Sequence, residues 1–383
     1  MTTVGILGGG QLARMLVLAG APLGLRFKLL DPAADACAGQ LAPLAVGAWD
    51  AAEALRSFVE GVDIATFDFE NVPAPAAQWL AATLPVFPPP QALAVSQDRL
   101  SEKNRFRELG IPVAPFAAVD SLDGLRAAVA AIGLPAILKT RRLGYDGKGQ
   151  FRLRTLEDVD AAWAALGPQA PAVGLILEGF VAFQRELSVV AARGKGGEFR
   201  AWPLTRNWHV DGVLSASLAP APVNPSTREK ALAYAKALAE SLDYVGVFAL
   251  ELFECDDELL ANEMAPRVHN SGHWTIEGSQ VSQFENHLRA GLGLPLGSTA
   301  MRGHACMLNW LGTMPDRAAA LAVPGLRWHD YGKQPRPGRK VGHATVCADS
   351  PAELAARLEQ LGSALDRQAQ VAPVVACLLQ GSR

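Results

Sequence analysis

The chain has 383 residues, of which 50% are hydrophobic and 19% are charged. This composition excludes an intrinsically disordered chain and predicts two or three folded units. The 35 basic and 38 acidic side chains nearly cancel, which excludes recruitment of nucleic acid or an anionic membrane by net charge. The five cysteines form neither a CxxC pair nor a zinc spacing, so we predict reduced thiols in a cytoplasmic protein. Neither a signal peptide nor a membrane span is expected.

The N-terminal region alternates between strand and helix patterns. Strands are predicted at residues 4–7, 27–30 and 64–67, and helices at residues 11–19, 51–59 and 76–80. Because the order is strand, helix, strand, we predict a Rossmann-like domain. A proline-rich stretch at residues 87–90 follows, and we place the end of this domain at residue 97.

A glycine-rich turn follows the first predicted strand. The segment Gly8-Gly9-Gly10-Gln11-Leu12-Ala13 fits the pattern G-x-G-x-x-A, and Asp31 ends the second strand, where dinucleotide folds place a ribose-binding acid. Glycines lack a Cβ, so their backbone amides and a helix N-terminus can approach any phosphate. Three interpretations remain open here: a nicotinamide dinucleotide, another phosphorylated ligand, and a purely structural turn.

The rest of the chain divides into two further units. A charged helix is predicted over residues 98–109, and mixed strands and helices continue to about residue 294. An apolar strand near residues 305–311, a loop rich in proline and arginine, and a helix at residues 352–361 then predict a small third domain. The predicted domains are therefore residues 1–97, 98–294 and 295–383.

A lysine ends an apolar strand, and a basic glycine-rich loop follows it. Residues 136–139 predict a strand that ends on Lys139, and residues 140–150 (TRRLGYDGKGQ) contain three glycines. A lysine fixed on a strand neutralises phosphate oxygens, and a flexible loop closes over a nucleotide and excludes water. The alternative is a solvated basic hairpin, which suits Arg141 and Arg142 better than Lys139.

Two acidic residues are predicted to face each other across a hairpin. Residues 248–253 and 259–264 predict two strands joined by a turn at Asp256-Asp257, which places Glu251 nearly opposite Glu263. Two such carboxylates repel each other unless a cation lies between them, and carboxylates with phosphates are the ligands that Mg²⁺ prefers. Without Lys139 and the glycine loop, an ordinary surface pair would be the better interpretation.

Two further segments concentrate cationic side chains. Arg267 and His269 stand two residues apart in an irregular segment and can bind a small oxyanion together. For His273 and Trp274 we predict packing in the core. Residues 333–340 (KQPRPGRK) hold four cations on a loop braced by proline and glycine, which predicts a phosphate clamp or, alternatively, a solvated charge run.

Six segments along nearly the whole chain resemble one family. They are GILGGGQLARM, QDRLSEKNRF, LKTRRLGYDGKGQ, FQRELSVVAAR, NEMAPRVHNSGHWT and RPGRKVGH, in this order. The chain resembles the N5-carboxyaminoimidazole ribonucleotide synthetases, ATP-grasp enzymes of purine biosynthesis. The resemblance implies an α/β and α+β chain with the ATP-grasp fold, an N-terminal Rossmann-like (pre-ATP-grasp) domain and a small C-terminal domain.

The same resemblance implies the reaction. ATP, bicarbonate and 5-aminoimidazole ribonucleotide would give N5-carboxyaminoimidazole ribonucleotide, ADP and phosphate through carboxyphosphate. The implied cofactor is Mg²⁺, without biotin or NAD. The implied assembly is a cytoplasmic homodimer that binds neither nucleic acid nor membrane.

The resemblance also implies roles for individual residues. Lys139, Arg267 and His269 are the expected catalytic residues, and Glu251 and Glu263 are the expected magnesium ligands. The expected ATP-binding residues are Arg99, Lys139, Gly144, Tyr145, Asp146, Gly147, Lys148, Gly149, Gln150, Glu178, Gly179, Phe180, Val181, Glu186, His209, Asn262 and Glu263. The expected residues for the ribonucleotide and bicarbonate are Gln11, Glu70, Asn71, Tyr145, Asp146, Lys148, Arg267, His269, Asn270, Lys333, Arg336, Arg339 and Lys340.

Other functions fit parts of the sequence. An NAD-dependent dehydrogenase would use the first domain, but no residues for hydride chemistry can be identified in the rest of the chain. A non-catalytic nucleotide-binding protein would tolerate loss of Lys139 or of one acid of the metal pair, and all of them are present. Within the ATP-grasp class, the nearest rivals are a formate-dependent glycinamide ribonucleotide transformylase and a biotin carboxylase subunit. The resemblance around Arg267 and His269 favours the bicarbonate enzyme over both.

Overall fold

The N-terminal domain is a parallel sheet flanked by helices. A computed structural model of the protein describes residues 1–144, 149–256 and 258–380. The strands are β1 (Thr3–Leu7), β2 (Arg26–Asp31), β3 (Leu44–Val46) and β4 (Ile64–Phe67), in the order β3-β2-β1-β4. The helices are α1 (Gln11–Gly20), α2 (Ala52–Val59), α3 (Ala74–Thr83) and α4 (Pro90–Ser96). The predicted βαβ order is confirmed, and the short strand β3 is an addition.

A small antiparallel sheet follows the first domain. Its strands are β5 (Phe116–Val119), β6 (Ala136–Thr140), β7 (Gln150–Leu153) and β8 (Leu175–Gly179), in the order β5-β8-β6-β7. The helices of this region are α5 (Arg99–Glu108), α6 (Leu122–Ile132), α7 (Asp158–Leu166) and α8 (Ala170–Val173). The charged helix predicted over residues 98–109 is confirmed as α5. Asp98 caps its N-terminus by accepting hydrogen bonds from the backbone N–H groups of Leu100 and Ser101.

A large sheet continues through the second and third predicted units. Its strands are β9 (Arg185–Arg193), β10 (Phe199–Ala201), β11 (Thr205–Val210), β12 (Val213–Ala219), β13 (Gly246–Cys255), β14 (Glu258–Ala265), β15 (His304–Leu311), β16 (Leu326–Asp330) and β17 (Lys340–Ala348). The strand order is β14-β13-β9-β11-β12-β15-β17-β16, with β10 on the side of β9. Because β12 pairs with β15, the C-terminal strands extend the sheet of the second unit.

The C-terminal strands and helices share a hydrophobic core with strand β12 of the second unit. The remaining helices are α9 (Pro225–Ser241), α10 (Thr275–Gly278), α11 (Gln283–Leu292), α12 (Arg317–Leu321), α13 (Pro351–Leu365) and α14 (Gln368–Gln380). Side chains of α13 and α14 pack with those of β15 and β17 in one buried cluster. Within the ranges that the structure describes, no helix is both long and apolar enough to cross a bilayer.

His287 on α11 fixes the N-terminal domain against the large sheet. The backbone N–H of Val247 donates to Nδ1 of His287 at 3.0 Å, so the ring proton lies on Nε2, which is 2.8 Å from Oγ1 of Thr66. Burial lowers the pKa of His287 to about 3, so the ring stays neutral. The aromatic ring of Phe87 packs against it. This contact brings the end of β4 toward the strands that carry the candidate site.

Candidate active site

The candidate active site is a cavity of about 380 Å³ lined by residues of both antiparallel sheets and of the N-terminal domain. A volume of this size is typical of small-molecule sites. The sequence-predicted site residues that line it are Glu70, Asn71, Arg99, Lys139, Gly144, Gly149, Gln150, Glu186, His209, Glu251, Asn262, Glu263, Arg267, His269, Asn270 and Lys340. Tyr145, Asp146, Gly147 and Lys148 were also predicted and lie outside the described residues.

The acidic pair lies on the floor of the cavity where two strands meet. Glu251 on β13 and Glu263 on β14 are a cross-strand pair, and the register shifts directly after them, which leaves Asn262 as the extra residue of a β-bulge. Burial and the neighbouring Glu263 raise the pKa of Glu251 to about 7. Burial also opposes ionisation of Glu263, but Arg99, with Nη1 2.9 Å from Oε2, holds the pKa of Glu263 below its ordinary value. The predicted hairpin register is confirmed.

This donor set suits a hard divalent cation that also binds a phosphate. Glu251 and Glu263 offer carboxylate oxygens on one side of the cavity, and Asn262 beside them also lines it. Across residues 1–144, 149–256 and 258–380, no group of three or more His, Cys, Asp or Glu side chains is placed to hold a metal ion. A cation at the pair would therefore complete its coordination shell with ligand oxygens and water, as Mg²⁺ does in nucleotide enzymes.

Lys139 on β6 lines the cavity, and it contacts the same carboxylate as a second lysine. Its Nζ lies 3.1 Å from Oε2 of Glu178, and Nζ of Lys103 lies 3.2 Å from the same oxygen. Burial lowers the pKa of Lys139, and the carboxylate of Glu178 acts in the opposite direction. Glu178 pairs with Ile137 on the neighbouring strand. Residues 178–181, which were predicted to bind ATP, are not among the residues that line the cavity.

Glu186 on β9 and His209 on β11 form an ion pair on the wall of the cavity next to β13. Nδ1 of His209 contacts Oε2 of Glu186, and both side chains line the cavity. Burial acts to lower the pKa of His209, but the bond to Glu186 outweighs it and raises the pKa. Beside this pair, the rings of Phe183 and Phe253 stack with their centroids 4.6 Å apart. This wall therefore combines a flat apolar surface with a polar pair.

Arg267 is held as a fixed cation at the edge of the N-terminal domain. Its Nε donates to Oε2 of Glu70, and its Nη1 donates to the backbone carbonyl of Val268 at 3.1 Å. Burial alone would raise the pKa of Glu70, but Arg267 brings it below the ordinary value, so both side chains are charged. Nearby, the side-chain amide of Asn270 is buried at the cavity and has no hydrogen-bond partner among the described residues. Arg267 and Asn270 together suit an oxyanion.

His269 is oriented by a chain of buried hydroxyl and amide groups. Its Nδ1 accepts from the backbone N–H of Ser271 at 3.3 Å, so the proton of the neutral ring lies on Nε2, 3.3 Å from Oε1 of Glu251. Behind the ring, the hydroxyl of Ser271 accepts from Ser188 at 2.8 Å, and Asn207 donates to Ser188 at 3.0 Å. Burial and the neighbouring cations hold the pKa of His269 well below 6.5. The ring is therefore a neutral donor aimed at the acidic pair.

The four cations of residues 333–340 are separated in the structure. Lys340 lines the cavity, whereas Nζ of Lys333 contacts Oε1 of Gln11 at the start of α1. Arg336 is exposed, and Arg339 donates to the backbone carbonyl of Gln334 at 3.2 Å. Gln11, Lys333, Arg336 and Arg339 thus lie outside the cavity lining. The loop nevertheless spans from the glycine-rich turn to the cavity edge.

The glycine-rich turn has its amide donors bound to carboxylates of the protein. Gly9 N–H donates to Oδ2 of Asp31 at 2.7 Å, and Gly10 N–H donates to Oδ2 of Asp68 at 2.7 Å. Burial raises the pKa of Asp68 to about 7. A Cβ on Gly8, whose φ is +106°, would lie 1.6 Å from Oδ1 of Asp68. Asp68 therefore occupies the place where dinucleotide folds bind pyrophosphate, and the structural interpretation of this turn fits best.

Comparison with known proteins places the chain in a family. The sequence matches a ribonucleotide synthetase preATP-grasp domain over residues 1–97, an ATP-grasp domain over residues 104–284 and a phosphoribosylaminoimidazole carboxylase C-terminal domain over residues 305–357. An N5-carboxyaminoimidazole ribonucleotide synthase from Pseudomonas aeruginosa is 51% identical over 366 residues, which cover 95% of this chain and 99% of that protein. The chain belongs to the N5-carboxyaminoimidazole ribonucleotide synthase family.

Solved structures support the same assignment. The N5-carboxyaminoimidazole ribonucleotide synthetase from Thermus thermophilus is 53% identical, with a TM-score of 0.90 over 94% of this chain and 98% of that one. The N5-carboxyaminoimidazole synthase from Aspergillus clavatus, in complex with ADP and 5-aminoimidazole ribonucleotide, is 31% identical, with a TM-score of 0.85 over 99% of each chain. The family and the ATP-grasp fold with its two flanking domains are confirmed. This member of the synthase family is therefore an ATP-dependent ligase.

Several cavity residues of this member of the family were not predicted from the sequence. They are Gln97, Glu102, Phe183, Phe253 and Met264. Helix α5 reads RLSEKNRFRE, which has no apolar periodicity to show that Glu102 and Lys103 are its buried members. Burial raises the pKa of Glu102 to about 8. The available signal was the spacing of Arg99, Glu102 and Lys103, which places all three on one face of a helix.

Proposed function

We propose that this protein carboxylates 5-aminoimidazole ribonucleotide with bicarbonate and ATP, through carboxyphosphate, and releases ADP and phosphate. The observation that carries the proposal is the meeting of Glu251, Glu263, Lys139 and Arg267 in one cavity. An acidic pair with a lysine suits a magnesium nucleotide, and a fixed arginine beside it suits a small oxyanion. The Aspergillus clavatus relative, which was solved with ADP and 5-aminoimidazole ribonucleotide, supports the choice of substrates.

For the nucleotide, we propose that Lys139 neutralises phosphate oxygens and that Glu186 and His209 bind the ribose end. The stacked pair Phe183 and Phe253 lies on the same wall and offers an apolar surface to the base. The remaining residues of the proposed ATP site are those predicted from the sequence: Arg99, Gly144, Tyr145, Asp146, Gly147, Lys148, Gly149, Gln150, Glu178, Gly179, Phe180, Val181, Asn262 and Glu263.

For the metal, we propose Mg²⁺ on Glu251 and Glu263. Such an ion supplies charge neutralisation for the phosphates during transfer of the terminal phosphoryl group. Arg99 then stabilises Glu263 in its ionised form through the contact of 2.9 Å. The donor Nε2–H of His269 does the same for Glu251. We propose neither biotin nor NAD for this enzyme.

For bicarbonate, we propose that Arg267 holds the anion while one of its oxygens attacks the terminal phosphorus of ATP. Glu70 and the carbonyl of Val268 keep the guanidinium from turning, because they accept from Nε and Nη1 of Arg267, which lines the cavity. The amide of Asn270 supplies a further polar contact for the oxyanion. His269 lines the same cavity, and we propose that it exchanges a proton with the bound substrates.

For the ribonucleotide, we propose the space between Asn71 and the loop of residues 333–340. Lys340 reaches this cavity, and Lys333 ties the loop to Gln11 on the N-terminal domain. A phosphate monoester that binds there would be drawn by Lys333, Arg336, Arg339 and Lys340 together. Glu70, Tyr145, Asp146 and Lys148 complete the proposed substrate site.

For the whole protein, we propose a cytoplasmic homodimer that binds neither nucleic acid nor membrane. We propose the domain boundaries 1–97, 98–294 and 295–383. Asp98 supports the first boundary because it caps the N-terminus of α5. The matched ATP-grasp domain ends at residue 284 and the matched C-terminal domain begins at residue 305, which supports a second boundary between them.

The substrate dependence of ADP release tests the proposed reaction. We expect the full rate only when ATP, bicarbonate and 5-aminoimidazole ribonucleotide are all present, and loss of more than about 90% of the rate when either acceptor substrate is left out. The matched control replaces bicarbonate with formate and the ribonucleotide with glycinamide ribonucleotide. Turnover with this second pair, together with none with bicarbonate, would contradict the proposal and favour a formate-dependent transformylase.

A further inference from the structure

Helix α5 presents three ionisable side chains to one short segment of β14. Arg99, Glu102 and Lys103 stand at positions i, i+3 and i+4, so they share a face of the helix. Glu102 is 2% exposed and Lys103 is 1% exposed, which is rare for charged residues. All three contact residues 262–264, which contain the β-bulge and one acid of the candidate metal pair.

These contacts supply hydrogen-bond partners for backbone groups at the edge of the sheet. Strand β14 ends the large sheet, and no named strand pairs with its outer edge. At Ala261 the backbone N–H donates to the carbonyl of Pro112 at 2.7 Å, and this pairing is not continued along residues 262–264 by a named strand. The backbone N–H of Met264 donates to Oε1 of Glu102 at 2.6 Å. The carbonyl of Asn262, the extra residue of the bulge, accepts from Nζ of Lys103 at 3.3 Å. Glu102 and Lys103 thus bind the backbone groups of the residues on either side of Glu263, as a neighbouring strand would.

Lys103 also connects the two sheets on either side of the cavity. The same Nζ lies 3.2 Å from Oε2 of Glu178 on β8, the carboxylate that contacts Lys139. Through Lys103, the carboxylate that contacts Lys139 is joined to the bulge next to Glu263. An apolar side chain of equal volume at either position would fill the space but would leave a buried backbone group without a partner.

We propose that Glu102 and Lys103 are positioning residues that hold the β-bulge of β14 so that Asn262 and Glu263 face the nucleotide cavity. The inference rests on the proposed magnesium nucleotide site. Bulges change the direction of the side chains around them, and this bulge lies at the edge of the sheet, where strand pairing on one side does not fix its geometry. The contacts from α5 select one of them.

Two substitutions at Glu102 separate positioning from packing. Glu102→Gln keeps an oxygen that accepts from the Met264 N–H, whereas Glu102→Met fills a similar volume without an acceptor. We measure ADP binding by titration calorimetry with Mg²⁺ and without it. For Glu102→Met, we expect the ADP affinity measured without Mg²⁺ to be unchanged. We expect the gain in ADP affinity that Mg²⁺ causes to be smaller than in the wild-type protein by a factor of about ten or more. Glu102→Gln should keep that increase, and thermal unfolding reports whether each variant is folded.

Lys103→Met tests the second contact, which joins Nζ of Lys103 to the carbonyl of Asn262. We expect its half-saturating Mg²⁺ concentration in turnover to rise about tenfold, with the KM for 5-aminoimidazole ribonucleotide within about twofold of wild type. If Glu102→Met does not fold, Lys103→Met decides the question.

Two results would overturn the positioning role. One is that folded Glu102→Met and Lys103→Met keep the full effect of Mg²⁺ on ADP affinity. The other is that they lose ADP affinity equally with and without Mg²⁺, which is the result of a general structural defect. Failure of the wild-type protein to bind ADP more tightly with Mg²⁺ would instead contradict the proposed nucleotide site itself.

Discussion

Glu263→Gln should abolish turnover that depends on Mg²⁺, with a loss of about 100-fold or more in kcat, because the change removes one of two charged ligands proposed for the ion. The amide oxygen of glutamine can still accept from Arg99, whose Nη1 lies 2.9 Å from Oε2 of Glu263 in the structure. We therefore expect the fold to be intact. Steady-state ADP release over a range of Mg²⁺ concentrations measures the effect, and thermal unfolding checks the fold.

The matched control for this prediction is Glu258→Gln. Glu258 is on the same strand and is exposed to solvent, at the end of the hairpin remote from the bulge. We expect it to keep wild-type activity because neutralising an exposed carboxylate there leaves the cavity unchanged. Near-normal turnover of Glu263→Gln at every Mg²⁺ concentration would show that the acidic pair does not hold the ion.

Arg267→Met should lower kcat by about 100- to 1,000-fold, because the cation that stabilises the bicarbonate-derived anion is lost. It should also lower the free energy of unfolding by about 3 kcal/mol, because the substitution leaves the carboxylate of Glu70 without its ion-pair partner. Kinetics of ADP release and urea unfolding measure these two effects separately.

The double variant Arg267→Met with Glu70→Gln separates the two roles of Arg267. Removing the unpaired charge at Glu70 should restore most of the lost stability, whereas turnover should stay as low as in the single variant. Arg200→Met controls for loss of an arginine, since Arg200 is an exposed residue that pairs with Glu198. A single variant at Arg267 that keeps more than about a tenth of the wild-type kcat would rule out its role in holding the anion.

The acidic hairpin could be predicted from sequence because its signals are local. Alternating residues define two strands, and the turn between them sets the register, so the pairing of Glu251 with Glu263 follows within a few residues. Asp257, one of the two predicted turn residues, lies outside the described residues. The bulge at Asn262 was not predicted, because one extra residue in a strand leaves no clear pattern.

Features that depend on distant segments could not be predicted in the same way. The glycine-rich turn is compatible with a dinucleotide until Asp68, 58 residues from Gly10, is seen to bind its amide donors. Likewise, the joining of β12 to β15 depends on strands far apart in the chain, which share no local pattern.

The basic loop shows that closeness in sequence need not mean closeness at a site. Lys333 and Lys340 stand seven residues apart, yet one contacts Gln11 and the other lines the cavity. Proline and glycine between them extend the loop, which separates like charges. The interpretation of Arg141 as a solvated side chain was also wrong. Its guanidinium pairs with Asp98 at 2.7 Å.

The most direct measurement of the central claim follows an oxygen atom from bicarbonate. If ATP activates bicarbonate as carboxyphosphate, an oxygen of bicarbonate forms the new bond to phosphorus and leaves with the phosphate when the amine takes up the carboxyl carbon. With ¹⁸O-labelled bicarbonate, 5-aminoimidazole ribonucleotide and MgATP, we predict one labelled oxygen per molecule of phosphate, detected by mass spectrometry. Phosphate without label, formed at the rate of ADP release, would contradict the account.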